Sequence, residues 1–299
     1  MVKFDIVSGF LGAGKTTFIK KLLKSLDNEK VVLIENEFGE VSVDREILQI
    51  EGFDVYELSN GCVCCKLKGD FLLTLREILR QDIDRIIFEP SGIFILDEIF
   101  DIFKDSEISA KCYINSITTV VDAGNFSKHV QSYSYFFKSQ IANATSIVLS
   151  KSQFLEANEV SNVAEELRLL NEDAKIITKD WVALSPSDIF SLINENPKYL
   201  TPDVMGGPHL EGHNFESLGF RPTGIFAMRQ LESILEKCKN GVYGNILRGK
   251  GILKSLDTFL EFQYTDGHYT ISTSKDVPLG VVSFIGNNLQ KEMLSTIFQ

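Results

Sequence analysis

The chain has 299 residues, 44% of them hydrophobic, enough for one large α/β domain or for that domain with a smaller one. Its 30 Lys and Arg against 41 Asp and Glu leave a formal net charge of −11, which argues against a nucleic-acid partner. No apolar run is long enough to cross a bilayer, and five cysteines, an odd number with three crowded together, argue for reduced thiols in a cytoplasmic protein rather than a disulfide framework.

Residues 3–8 read as a short buried strand, and residues 17–26 as a helix with Phe18, Ile19, Leu22, Leu23 and Leu26 on one face. Between them Gly9-Phe10-Leu11-Gly12-Ala13-Gly14-Lys15-Thr16 matches the phosphate-binding pattern G-x-x-x-x-G-K-[ST], in the strand–loop–helix setting it requires. Glycine admits positive φ and close approach. The amides of Gly9, Gly12, Ala13 and Gly14, with Thr17 following, can therefore surround a phosphate at a helix N-terminus. Lys15 is placed to reach the β- and γ-phosphates, and the Thr16 hydroxyl to bind Mg²⁺. The bland alternative, a glycine turn that only closes a strand onto a helix, is disfavoured by the complete context.

Strands are expected at 30–35, 54–58, 85–88, 114–121, 146–149 and 175–177, with helices at 70–79, 132–141 and 156–170 between them. Alternation of this kind predicts an α/β P-loop NTPase domain, a mostly parallel sheet covered by helices, with ligands at the strands' carboxyl ends. Pro and Gly then cluster, so the chain divides into a domain at 1–196, a linker at 197–219 and a smaller α+β domain at 220–299. In the latter, strands are expected at 223–228, 246–253, 259–264, 268–273 and 281–285, and helices at 230–238 and 289–298. Asp266-Gly267 marks a hairpin.

Cys62, Cys64 and Cys65 gather three soft donors, a set suited to Zn²⁺, Co²⁺ or Cu⁺, and leave a tetrahedral ion one open position. Buried small side chains or thiol redox chemistry are the alternatives; Cys112 and Cys238 stand alone and read as packing. Glu89, at the end of an apolar strand, is where P-loop proteins place the acid that holds Mg²⁺ through water, the alternative being a solvated strand-end carboxylate.

The ordered set Gly-Phe-Leu-Gly-Ala-Gly-Lys-Thr-Thr, Glu-Asn-Glu-Phe-Gly-Glu-Val with Asp44, Gly-Cys-Val-Cys-Cys and Glu-Pro-Ser-Gly resembles the CobW-like family of P-loop GTPases, metal-handling relatives of urease and hydrogenase nickel-insertion factors. Val282-Ser283-Phe284-Ile285-Gly286 resembles that family's C-terminal ending, so the likeness spans nearly the whole chain. The resemblance implies a nucleotide-gated metallochaperone or insertase, with GTP and Mg²⁺, Zn²⁺ or Co²⁺ as cargo and a client metalloprotein or metal-cofactor protein as partner. It is also compatible with a dimer. Lys15, Glu37 and Glu89 are then the expected catalytic groups, with Glu37 as water-positioner or metal ligand and Asp44 in the Mg²⁺ shell. Gly92 would offer its amide to the γ-phosphate, and Glu40 remains an ordinary loop acid.

Two features depart from the family. The Asn-Lys-x-Asp base motif reads Ser150-Lys151-Ser152-Gln153 here. Lys151 can still cover the base, but Gln153 loses the charge-assisted pair to guanine, each such bond being worth about 1.5–3 kcal/mol, so ATP stays open beside GTP. The inter-domain stretch offers only His209 and His213, which read as loop residues rather than ligands. A small-molecule kinase lacks its Arg-rich lid here. A reactivase for a corrinoid or other metal-cofactor protein, and a binding module without turnover, remain the alternatives.

Overall fold

The computed structural model describes residues 1–26, 28–36, 55–57, 66–92, 94, 96–132, 134–194, 215–274 and 280–298. They fall into two compact units, the first ending within the described residues at Asn194 and the second starting at Phe215. Glu37, Glu40, Asp44, Cys62, Cys64, Cys65, His209 and His213 lie outside the described residues, as does 197–214 of the expected linker.

The first unit is built on β1 (Val2–Ser8), β2 (Val31–Glu35), β3 (Val55–Glu57), β4 (Arg85–Glu89), β5 (Cys112–Asp122), β6 (Ser146–Ser150) and β7 (Lys175–Ile177). They form one sheet in the order β3-β2-β4-β1-β5-β6-β7, and every pairing is parallel. Its inner strands are near-continuous apolar runs, as a sheet covered on both faces requires. Phe4, Ile6, Ile86, Phe88, Val32, Ile34 and Ile117 face α2 (Lys66–Ile78), α3 (Asp97–Ile102) and α4 (Ser106–Ser109), burying Phe71, Leu75, Ile78, Ile99 and Ile108 against them. Sequence reasoning missed α5 (Phe126–Ser132); the expected helix at 132–141 is α6 (Ser134–Ala142), and α7 (Ala157–Leu170) follows β6. The opposite face is covered by α1 (Lys15–Lys24) and α8 (Pro186–Asn194), which pack on each other.

Beneath α8 lies a buried ionic cluster. Asp5 alternates with Phe4 and Ile6, so it points away from the apolar face; its carboxylate pairs with the fully buried Arg85 and accepts from Asn115 Nδ2 at 2.7 Å and Ser116 Oγ. Arg85 also donates to Glu29 and to Asn194 Oδ1. Asn115 donates to the Ile193 carbonyl at 2.6 Å and Ser146 to the Leu192 carbonyl at 3.1 Å, so carbonyls that end α8 without helical partners are satisfied from the sheet. Burial opposes ionisation of Glu29, but the hydrogen bond and charge of Arg85, with Lys3 beyond, hold its carboxyl below the ordinary 4.5.

The second unit holds β8 (Glu216–Phe220), β9 (Asn245–Lys254), β10 (Phe259–Thr265), β11 (His268–Ser274) and β12 (Val281–Asn287) in the antiparallel order β11-β10-β9-β12-β8. Leu231, Ile234 and Leu235 of α9 (Met228–Lys239) and Leu294 of α10 (Lys291–Ile297) cover one face. Phe262 and Phe284 sit in the space a β-carbon on Gly249 or Gly251 would need, at 2.3–2.8 Å. Asp266 and Gly267 both take positive φ, 49° and 87°, the two-residue hairpin turn that the dipeptide announces.

Two expectations for this unit fail. Residues 223–227 form no strand, and Met228 opens α9 instead. Pro222 and Gly224 break the run, and the segment is tied to β9 by the Phe226 N–H to Lys254 carbonyl bond at 2.8 Å and the Ser255 hydroxyl. The sheet edge is taken by β8, whose Glu216–Phe220 begins inside the stretch expected as linker up to 219.

Candidate functional site

All the motifs of interest that are described leave the carboxyl edge of the parallel sheet. Because β1 lies between β4 and β5, its loop is flanked by the Glu89–Gly92 segment on one side and the turn after Asp122 on the other. This is the crevice position at which open α/β sheets bind ligands.

The loop after β1 takes the shape its glycines allow. Gly9, Gly12 and Gly14 have φ of 143°, 71° and 99°, and a β-carbon on Gly9 would stand 2.3 Å from the Val120 carbonyl oxygen of β5. The Ala13 N–H bonds the Phe10 carbonyl at 3.2 Å, and the Phe18 N–H bonds the Gly14 carbonyl at 3.0 Å, starting α1. Ala13 is buried and Thr17 exposed. Lys15, 4% exposed, turns its ammonium back over the loop to the Gly9 carbonyl at 3.0 Å. Trp181, after β7, stacks on Phe18 with ring centres 6.0 Å apart, and its ring edge would lie 2.8 Å from a Gly14 β-carbon.

The Thr16 hydroxyl donates to Glu89, with 3.2 Å to Oε1 and 3.4 Å to Oε2. Two residues 73 apart in sequence thus place a hydroxyl and a carboxylate side by side at the mouth of the loop, hard oxygen donors of the kind Mg²⁺ takes. Gly92 presses on the same loop: a β-carbon there would be 2.5 Å from the Leu11 nitrogen. Lys15, Thr16, Glu89 and Gly92 are therefore gathered in one place.

The Ser150–Gln153 stretch leaves β6, on the far side of β5 from the loop. Ser150, in register with Asp122, is buried with its hydroxyl on the Val121 carbonyl at 3.3 Å. Lys151 takes a left-handed φ of 58° and bonds Asp122 Oδ2 at 2.6 Å. Asp122, 1% exposed, also caps the following turn by accepting from the Gly124 and Asn125 N–H groups and from Asn125 Nδ2. Gln153 is exposed. Asp122 and Trp181 carry geometry that sequence reasoning did not assign. An acid closing an apolar strand was visible for Asp122, but its partner follows only from the β5–β6 register.

Cys112 and Cys238 are buried, and burial pushes each thiol up to about 12, as packing residues. Among the described residues no group of three or more His, Cys, Asp or Glu is placed to hold a metal ion, and no helix is long and apolar enough to cross a membrane.

A parallel sheet with this loop, a Thr–Glu pair beside it and a lysine-bearing turn after β6 define a P-loop nucleotide-binding protein. Residues 3–178, more than half of the chain, match the CobW/HypB/UreG nucleotide-binding domain, and the protein belongs to that family. It is 32% identical over 195 residues to the zinc chaperone CobW of Pseudomonas aeruginosa, covering 54% of this chain and 52% of that one. It is 31% identical over 211 residues to the zinc chaperone YjiA of Escherichia coli, covering 68% and 64%. Against the zinc-regulated GTPase metalloprotein activator 1 of Schizosaccharomyces pombe it is 30% identical over 212 residues, covering 67% and 52%. The matches thus span between half and two thirds of these relatives. Zn(II)-bound YjiA GTPase from E. coli aligns over 99% of this chain and 98% of its own at 21% identity, with a TM-score of 0.46.

Proposed function

We propose that this protein is a GTP-hydrolysing metallochaperone, which binds zinc as its cargo and passes it to a client metalloprotein. The observation that carries the nucleotide half is the Thr16 hydroxyl set 3.2 Å from Glu89 at the mouth of a complete phosphate-binding loop. The relatives named as zinc chaperones and zinc-regulated GTPases support the cargo and the base. Cys62, Cys64 and Cys65 are proposed as the thiolates that take the ion. The proposed division keeps nucleotide chemistry in residues 1–196 and client recognition in 220–299.

In this reading Lys15 leaves the Gly9 carbonyl for the β- and γ-phosphates, exchanging a neutral acceptor for a charged one, roughly a doubling of bond strength. Thr16 would hold Mg²⁺ directly and Glu89 would orient its water, while Asp44 would join the shell and Glu37 would serve as metal ligand or position the attacking water. Mg²⁺, when bound, neutralises charge on the transferring phosphoryl group. Gly92 donates its N–H to the γ-phosphate, so that the segment after β4 differs between triphosphate and diphosphate states. Lys151, held by Asp122, lays its stem against the base, and Gln153 is left to read its edge through a neutral amide.

The test is zinc affinity measured with Mg²⁺ and either a non-hydrolysable GTP analogue or GDP, on the wild type and on a protein with Cys62, Cys64 and Cys65 changed to Ser. Gated delivery requires the affinity to differ between the two nucleotides and the difference to vanish with the cysteines. Equal affinity in both states would sink the chaperone reading. The same titration with ATP analogues decides the base. Glu89→Gln should raise the Mg²⁺ needed for half-maximal turnover by about 10- to 100-fold.

A further inference from the structure

Gln140, on α6, is 1% exposed and takes no part in the site described so far. Its Nε2 donates to the Gly92 carbonyl at 3.0 Å. A carbonyl can only accept, so the orientation of the amide follows: nitrogen toward Gly92, Oε1 away from it. Oε1 has no hydrogen-bond partner among the described residues, and neither has the buried Ser8 hydroxyl, the last residue of β1 before the phosphate-binding loop. The Thr119 hydroxyl of β5 donates to the backbone carbonyl of Gln140 at 2.7 Å and ties α6 to the sheet at that residue. From the other side Gly92 meets the backbone of Leu11, where an added β-carbon would stand 2.5 Å from the nitrogen and 2.8 Å from Cα. Gly92 is thus held between the phosphate-binding loop and one glutamine amide.

Packing alone gives no reason for a glutamine here. A buried amide oxygen without a partner is destabilising, and a methionine would occupy similar volume without it. What the glutamine adds is the donor to Gly92.

We infer that Gln140 is the positioning residue of the γ-phosphate-sensing segment: its amide anchors the Gly92 carbonyl, and through Gly92 Cα restrains the N–H on the other side of that residue, and so sets the preference for triphosphate over diphosphate. This rests on the proposed reading of Gly92 as a γ-phosphate donor. In that reading the γ-phosphate is the one phosphate to which Gly92 donates, so the effect of Gln140 is confined to the triphosphate state.

The test compares the full-length wild type with Gln140→Met, measuring the affinity of each for a non-hydrolysable GTP analogue and for GDP with Mg²⁺. The variant should bind the analogue about tenfold more weakly, the equivalent of one net hydrogen bond, and GDP within twofold of the wild type. A purely structural role predicts that both affinities hold or fall together, and either result overturns the inference. If the variant fails to fold, the side-chain amide resonance of Gln140 in the wild type decides. It should shift when the triphosphate analogue replaces GDP, and an unmoved resonance overturns the inference. A wild type that binds both nucleotides equally removes the γ-phosphate reading itself, whereas a selective wild type with an equally selective variant removes only Gln140.

Discussion

Gly9 shows how little room the phosphate-binding loop leaves at its base. A methyl group there would press on the Val120 carbonyl at 2.3 Å from a backbone at φ 143°. Gly9→Ala should therefore cost about 1–3 kcal/mol in strain alone, read in chemical denaturation, and should abolish nucleotide binding as β1 is pushed from β5. The loop was legible in the sequence because each of its roles depends on neighbours a few residues away. Lys151 was only half legible. Its identity was visible, but the acid that holds it, Asp122, sits 29 residues earlier and meets it through strand pairing that no local pattern encodes. Gln140 was invisible for the same reason, its partner lying 48 residues away. Cys112 and Cys238 are the opposite case, read as packing and found buried, with thiols pushed up to about 12. Neither should be alkylated by iodoacetamide at pH 8 while the protein is folded, and peptide mass spectrometry before and after unfolding checks this.

At the scale of elements, α8 was announced in the sequence and overlooked. Ser185-Pro186-Ser187-Asp188 is a capping box with proline at the first helical position: the Ser185 N–H reaches Asp188 Oδ2 at 2.9 Å and the Asp188 N–H returns to the Ser185 hydroxyl at 3.2 Å. Ser185→Ala should cost about 1 kcal/mol, measured as a fall in the midpoint of thermal unfolding. The other end of α8 is held by the ionic cluster under it. Glu29 titrates below its ordinary value in the folded state, so between the folded and unfolded pKa values the unfolded chain carries the extra proton. Its contribution is present above 4.5 and is lost as pH falls through the lower folded value. Glu29→Gln should therefore flatten the loss of stability on the acid side of 4.5, seen as a shallower fall of the melting temperature. The strand expected at 223–228 failed because strand propensity says nothing about whether an edge is vacant, and β8 had filled it.

On the scale of the whole molecule, fold class was the most legible property, since alternation of apolar strands with amphipathic helices dictates a parallel sheet before any contact is known. The two units each bury a core of their own, one of parallel strands and one of antiparallel strands. Nucleotide binding linked to the first unit alone should raise only the calorimetric transition that belongs to it, by about 2.7 kcal/mol at a ligand concentration one hundred times Kd. A single transition that moves as one would show the units to unfold together instead.

Trp181 is the chain's single tryptophan, and it rests at once on the α1 ring of Phe18 and beside Gly14. Its emission therefore comes from one known place, within contact of the loop that a phosphate must enter. The protein carries its own optical reporter: occupancy can be followed in unlabelled samples by intensity and quenching, in real time, with every variant above serving as its own control.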